Sequence, residues 1–102
     1  RSFQSPGGDI HCLLEQGRMM CQTQGVQHTA MVLRRGPATP LAAGDVLPGG
    51  RTVAAGRTVS VGGAFSCTVR PASVTCVSMD TGNGFSISRA GVKTFTPPPG
   101  GY

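Results

Sequence analysis

The residues with the most chemically informative spacing are four cysteines, at positions 12, 21, 67 and 76. The members of each pair are nine positions apart. Each pair also follows the same run, Gly8-Asp9-Ile10-His11-Cys12 in one case and Gly63-Ala64-Phe65-Ser66-Cys67 in the other, a Gly and a large apolar residue ahead of the first Cys. Thiolate zinc sites favour cysteines two to four residues apart. A spacing of nine instead fits two local disulfides, Cys12 to Cys21 and Cys67 to Cys76, and the residues imply no metal and no cofactor. So paired, the cysteines are scaffolding and leave no thiol for nucleophilic chemistry.

What remains for catalysis is thin. The chain has two His, His11 and His28, and four carboxylates, Asp9, Glu15, Asp45 and Asp80. It has no Gly-x-Ser-x-Gly elbow, no phosphate loop and no metal-spaced His pair. A small secreted hydrolase built on His11 or His28 with Asp9, Asp45 or Asp80 and a serine is the enzymatic alternative, since such groups meet in space and not in sequence. Two groupings are candidates for ligand contact. Asp80, Thr81, Asn83, Ser88 and Arg89 gather polar groups around a tight turn, with an Asp80 to Arg89 ion pair as the structural expectation for the same residues. Arg34 and Arg35 are the one adjacent basic pair in a chain of net charge +5. A basic balance invites an anionic partner. Nucleic acid is not expected, because no aromatic ladder lies among the basic residues for bases to stack on. The leading reading is a non-catalytic binding or interaction module whose partner is an anionic cell-envelope component or another secreted protein.

The elements that must hold these groups are strands. Sixteen Gly and eight Pro among 102 residues exclude long helices, since each costs about 1 or 3 kcal/mol respectively in a helix interior. One domain over residues 1–96 is expected, with a Pro/Gly-rich tail over 97–102. Two-residue turns at Gln16-Gly17 and Pro71-Ala72 set the register of two hairpins. Glu15 then faces Arg18, Leu14 faces Met19 and Cys12 faces Cys21; in the second hairpin Arg70 faces Ser73, Val69 faces Val74 and Cys67 faces Cys76. Both Cys pairs land on the closely spaced sites of an antiparallel ladder, where Cβ atoms approach to disulfide distance. Phe65, Cys67, Val69, Val74 and Cys76 make an inward face by strict alternation, as do Ile10, Cys12, Leu14, Met19 and Cys21. Leu13 and Met20 fall on the outer face, where other chain is expected to cover them.

Elsewhere the pattern is weaker. Residues 26–35 read as one strand or a single helical turn, and 36–50 as a surface connection. The echo Arg51-Thr52-Val53 and Arg57-Thr58-Val59 reads as strand pieces broken at Gly56. Asn83-Gly84 supplies a tight-turn signal before a strand with Phe85 and Ile87 inward, and 92–95 adds a further short strand. The expected fold is all-β, a small antiparallel barrel or sandwich carrying the two disulfide-closed hairpins.

Phe3, Ser5, Pro6, Gly8, Ile10 and Cys12, then Val59, Val61, Gly62, Phe65 and Cys67, then Thr81, Gly82, Gly84, Phe85, Ser88 and Arg89 together resemble a family of secreted or membrane-anchored actinobacterial domains, common in mycobacteria and without an established activity. That family often carries Asn in place of Asp9 and His in place of Asn83. The resemblance implies an extracytoplasmic location, secreted or associated with the cell envelope. It agrees with the disulfide reading, with a start at Arg1 typical of a mature or trimmed chain, and with the lack of any apolar run long enough to span a membrane.

Overall fold

A computed structural model describes residues 1–25, 27–41 and 47–97. Eleven strands run in chain order: β1 (Ser2–Gln4), β2 (Ile10–Glu15), β3 (Arg18–Thr23), β4 (Thr29–Leu33), β5 (Ala38–Leu41), β6 (Arg51–Thr52), β7 (Thr58–Val61), β8 (Phe65–Val69), β9 (Ser73–Ser78), β10 (Gly84–Ser88) and β11 (Gly91–Phe95). They form two sheets, β5-β4-β3-β2-β1-β6 and β11-β10-β9-β8-β7. The sheets lie face to face as a sandwich and do not close into a barrel.

Both disulfides are present, Cys12–Cys21 and Cys67–Cys76, each with Cα atoms 4.1 Å apart. That separation identifies the closely spaced, non-hydrogen-bonded pairs of the ladder. The hairpin registers are those the turns dictate, from Glu15 opposite Arg18 to Cys12 opposite Cys21, and from Val69 opposite Val74 to Cys67 opposite Cys76. Gln16 (φ 52°) and Gly17 (φ 73°) both take the left-handed conformation, which matches the right-handed strand twist in a two-residue turn.

The two halves of the chain share one plan. Each sheet contains a five-stranded meander, β1 to β5 and β7 to β11, with its disulfide between the second and third strands. The correspondence holds residue by residue. Cys21 pairs with Ala30 and Met19 with Val32 in the first meander, where Cys76 pairs with Phe85 and Val74 with Ile87 in the second. Phe3 lies opposite Cys12 as Val59 lies opposite Cys67, and Ala38 opposite Val32 as Val92 lies opposite Ile87. The core is the seam between these two faces. Cys12, Met19, Cys21, Ala30 and Val32 from one sheet meet Cys67, Val69, Val74, Cys76, Phe85 and Ile87 from the other, all wholly buried. At its centre the disulfides touch, Cys21 Sγ lying 3.8 Å from Cys76 Sγ.

Several expectations need correction. Residues 38–41, expected within a surface connection, form edge strand β5 on β4; an edge position tolerates Pro40, whose missing N–H would break an interior ladder. Of the two readings open for 26–35, the strand holds over Thr29–Leu33, and β1, for which the sequence carries little alternation, pairs with β2. The sheet is not wholly antiparallel, because β6 runs parallel to β1. Asn83-Gly84 is not a two-residue turn. Residues 79–83 connect β9 to β10, Ser78 N donates to Asn83 O (2.8 Å), and Gly84 is a buried strand residue paired with Val77. The expected cover over the outer face of the first hairpin falls partly elsewhere: Leu47 N donates to Gln22 Oε1 (3.0 Å) above the His11 and Gln22 row, while Leu13 and Met20 stay half-buried. The segments before and after the break at Gly56 join different sheets, β6 the first and β7 the second. Most of the Pro/Gly-rich tail lies outside the described residues.

Candidate functional site

The polar candidates divide between the two ends of the sandwich. At one end, the turn after β4 meets the loop after β9. Arg34 Nε donates to Asp80 Oδ2 at 2.8 Å, and Arg35 Nε lies 3.7 Å from the same oxygen. Ser78 Oγ donates to Arg34 O (2.6 Å) and Asn83 Nδ2 to Gly36 O (2.8 Å). Asn83 N donates to Thr81 Oγ1 (3.1 Å), which shapes the loop from within. Asp80, Asn83, Arg34 and Arg35 thus fasten one meander to the other. The expected pair between Asp80 and Arg89 is absent, because β10 carries Arg89 to the opposite end while Arg34 and Arg35, in the turn after β4, lie beside Asp80. Asp80 offsets one of the two cations, so this end keeps a net positive charge, carried by the exposed Arg35.

The opposite end holds a cleft. The strand directions bring together the turn before β2, the turn between β8 and β9, and the turn between β10 and β11. Ser5, Asp9, Ile10, Pro71, Ala72, Ser88, Arg89 and Ala90 line it, enclosing about 420 Å³. Its local geometry is firm. Ser5 is buried, its Oγ accepts from Ile10 N (3.0 Å), and its backbone N donates to Ile10 O (2.9 Å). Ser88 Oγ accepts from Ala90 N at 3.2 Å, fixing the turn that bears Arg89. Arg89 Nη2 lies 3.8 Å from Asp9 Oδ1, both side chains more than half exposed. Charge-assisted N–H to carboxylate bonds run at about 2.7–2.9 Å, so Arg89 is near Asp9 without being bonded to it. Arg89 lines the cleft beside Asp9, with Ile10, Pro71, Ala72 and Ala90 as apolar walls.

A second opening, about 570 Å³, separates β1 and β6 from β7 and is lined in part by Phe3, Val53, Val59 and Arg51. Arg51 is the parallel partner of Phe3 and so projects from the inner side of a sheet edge, where a charge blocks further strand pairing. That opening is explained by edge protection.

Neither histidine joins a catalytic arrangement among the described residues. His11 is half-buried on the outer face, its Nδ1 donating to Leu47 O at 3.0 Å. The backbone of His28 closes a loop with Thr23, its N donating to Thr23 Oγ1 (2.8 Å) and its O accepting from Thr23 N (2.9 Å). Asp80 is bonded to Arg34, Asp9 stands beside Arg89, and Asp45 lies outside the described residues. No group of metal-ligating side chains is found among the described residues beyond the bridged Cys12, Cys21 and Cys76, whose sulfurs are committed to disulfides.

Of the sequence candidates, Ser88 and Arg89 belong to the cleft. As a site residue Asp9 enters the sequence reading only as a triad member, while Ser5 and Ile10 enter as motif residues, Pro71 and Ala72 as a turn, and Ala90 does not enter. They sit on separate turns, and strand order, not a local sequence signal, brings them together. The resemblance motifs at the two ends of the chain, represented by Ser5 and Ile10 and by Ser88 and Arg89, converge on this one cleft. No family model, no curated protein and no solved structure matches the chain.

Proposed function

We propose that this chain is a non-catalytic, extracytoplasmic binding module of the actinobacterial type its motifs resemble, and that it binds an anionic cell-envelope component through the cleft at Arg89. The observation that carries the reading is the contrast between the arginines. Arg34 is bonded to Asp80 at 2.8 Å and Arg35 stands on an open surface 3.7 Å from the same carboxylate, whereas Arg89 lines a walled cleft, 3.8 Å from Asp9. Arg is suited to bidentate recognition of carboxylate or phosphate oxygens. Two bridged cysteine pairs support an oxidising compartment, and among the described residues no helix is long and apolar enough to cross a membrane.

Co-sedimentation with purified, insoluble cell wall tests the reading. The wild-type protein is expected in the pellet, Arg89→Ala in the supernatant, and the Arg34→Ala/Arg35→Ala double variant in the pellet despite having lost twice the charge. Absence of wild-type binding overturns the proposal. So does a loss that follows net charge instead of Arg89.

A further inference from the structure

Resting on the reading of the Arg89 cleft as the binding site, we infer that its ligand is an α-amino carboxylate with an apolar side chain: a carboxylate bearing an N–H donor on the adjacent carbon, supplied by a peptide C-terminus or a free amino acid. The selecting feature is Asp9. Its carboxylate oxygen lies 3.8 Å from the Arg89 guanidinium, so the site presents a cation and an anion side by side. A dianion such as phosphate, drawn to Arg89, meets like-charge repulsion from Asp9. An α-amino carboxylate satisfies both groups. Its two oxygens take the guanidinium fork, as planar bidentate pairing favours, and its N–H, one carbon removed, donates to Asp9.

The walls set the character of the side chain. Ala72, Ala90, Pro71 and Ile10 offer an apolar surround. In a cleft of about 420 Å³ such a wall accepts an apolar side chain, the methyl of alanine among them. The cleft is fixed before a ligand arrives: Ser5 and Ser88 hold the two turns through their hydroxyl to backbone bonds. Pre-organisation of this kind limits the ordering cost of binding.

The test is a titration of the ¹⁵N-labelled protein, followed by amide chemical shifts, with N-acetylalanine, free alanine, propionate and inorganic phosphate. Propionate has the carboxylate and methyl without the N–H donor. N-acetylalanine is expected to shift the amides of Asp9 and Ser88 to Ala90 and to bind about tenfold more tightly than propionate, the factor for one hydrogen bond to a charged acceptor. Asp9→Asn is expected to reduce that preference and to raise the affinity for phosphate, while Arg89→Ala abolishes every shift and leaves the rest of the spectrum folded. Comparing N-acetylalanine with free alanine separates a peptide end from a free amino acid as the source. Propionate or phosphate binding as tightly as N-acetylalanine overturns the inference but leaves the cleft as an anion site. If no probe binds while cell-wall sedimentation still depends on Arg89, the inference alone falls. If neither occurs, the binding reading falls with it.

Discussion

Arg34 and Arg89 show how far the setting of a residue outweighs its type. Both are exposed arginines near an aspartate. One donates at 2.8 Å and helps to tie two loops together, the other stands 3.8 Å off and faces a cleft. Exposed ion pairs contribute only about 0–1 kcal/mol, so the fastening at Asp80 rests at least as much on the hydrogen bonds of Ser78 and Asn83 to the backbone of Arg34 and Gly36. Gly84 is the residue with least latitude in this region. A Cβ added there would overlap the carbonyl oxygen of Cys76 and lie 2.8 Å from the Phe95 ring. The ring can swing away, but the carbonyl belongs to the ladder and cannot. Gly84→Ala is therefore expected to cost about 1–3 kcal/mol, as overpacking does, and to lower Tm by at least about 4 °C in a domain of this size. Thermal unfolding followed by circular dichroism checks it, and an unchanged Tm would show that the strand can shift.

At the scale of elements, the hairpins were legible and the connections were not. A two-residue turn with alternating flanks determines every pair in its hairpin, so Cys12 to Cys21 and Cys67 to Cys76 follow from local rules alone. Gln16 is the flaw in the first turn: it holds φ 52°, a region that Asn tolerates and a longer side chain does not favour. Gln16→Asn is expected to stabilise the protein by up to about 1 kcal/mol, read as a raised denaturation midpoint with an unchanged slope. A lowered midpoint would mean that the Gln16 side chain contributes elsewhere. Asn83-Gly84 carries the same dipeptide signal and makes no such turn, because both residues have other duties: Asn83 bonds the Gly36 carbonyl, and Gly84 passes beneath Phe95. Edge strand β5 is hidden by Gly36, Pro37 and Pro40, since breaker residues read alike in an edge strand and a loop. The cleft was illegible for a third reason. Ser5, Asp9, Ala72 and Arg89 sit on separate turns, and only strand order, which no local pattern encodes, puts them side by side.

For the molecule as a whole, the governing fact is the equivalence of its halves. Each meander has one apolar face and one disulfide, and neither face is covered until the two meet, so the sulfur to sulfur contact between Cys21 and Cys76 marks the centre of a shared core. The equivalence makes a quantitative prediction. The two bridges close loops of the same length, each pair nine residues apart, so chain entropy assigns them the same stabilisation, about 2.7 kcal/mol. Each also packs against the other in a fully buried seam, so replacing either pair with alanine strips contacts from the surviving bridge as well as opening a loop. The Cys12→Ala/Cys21→Ala and Cys67→Ala/Cys76→Ala variants are thus expected to lose similar amounts, within about 0.5 kcal/mol of each other and each above the loop value. Denaturant unfolding of the two variants decides the matter. Equal losses mean that the halves share one core and fold as one unit. If one variant stays near wild-type stability while the other unfolds, a single meander carries the fold and the symmetry of the registers has no energetic counterpart.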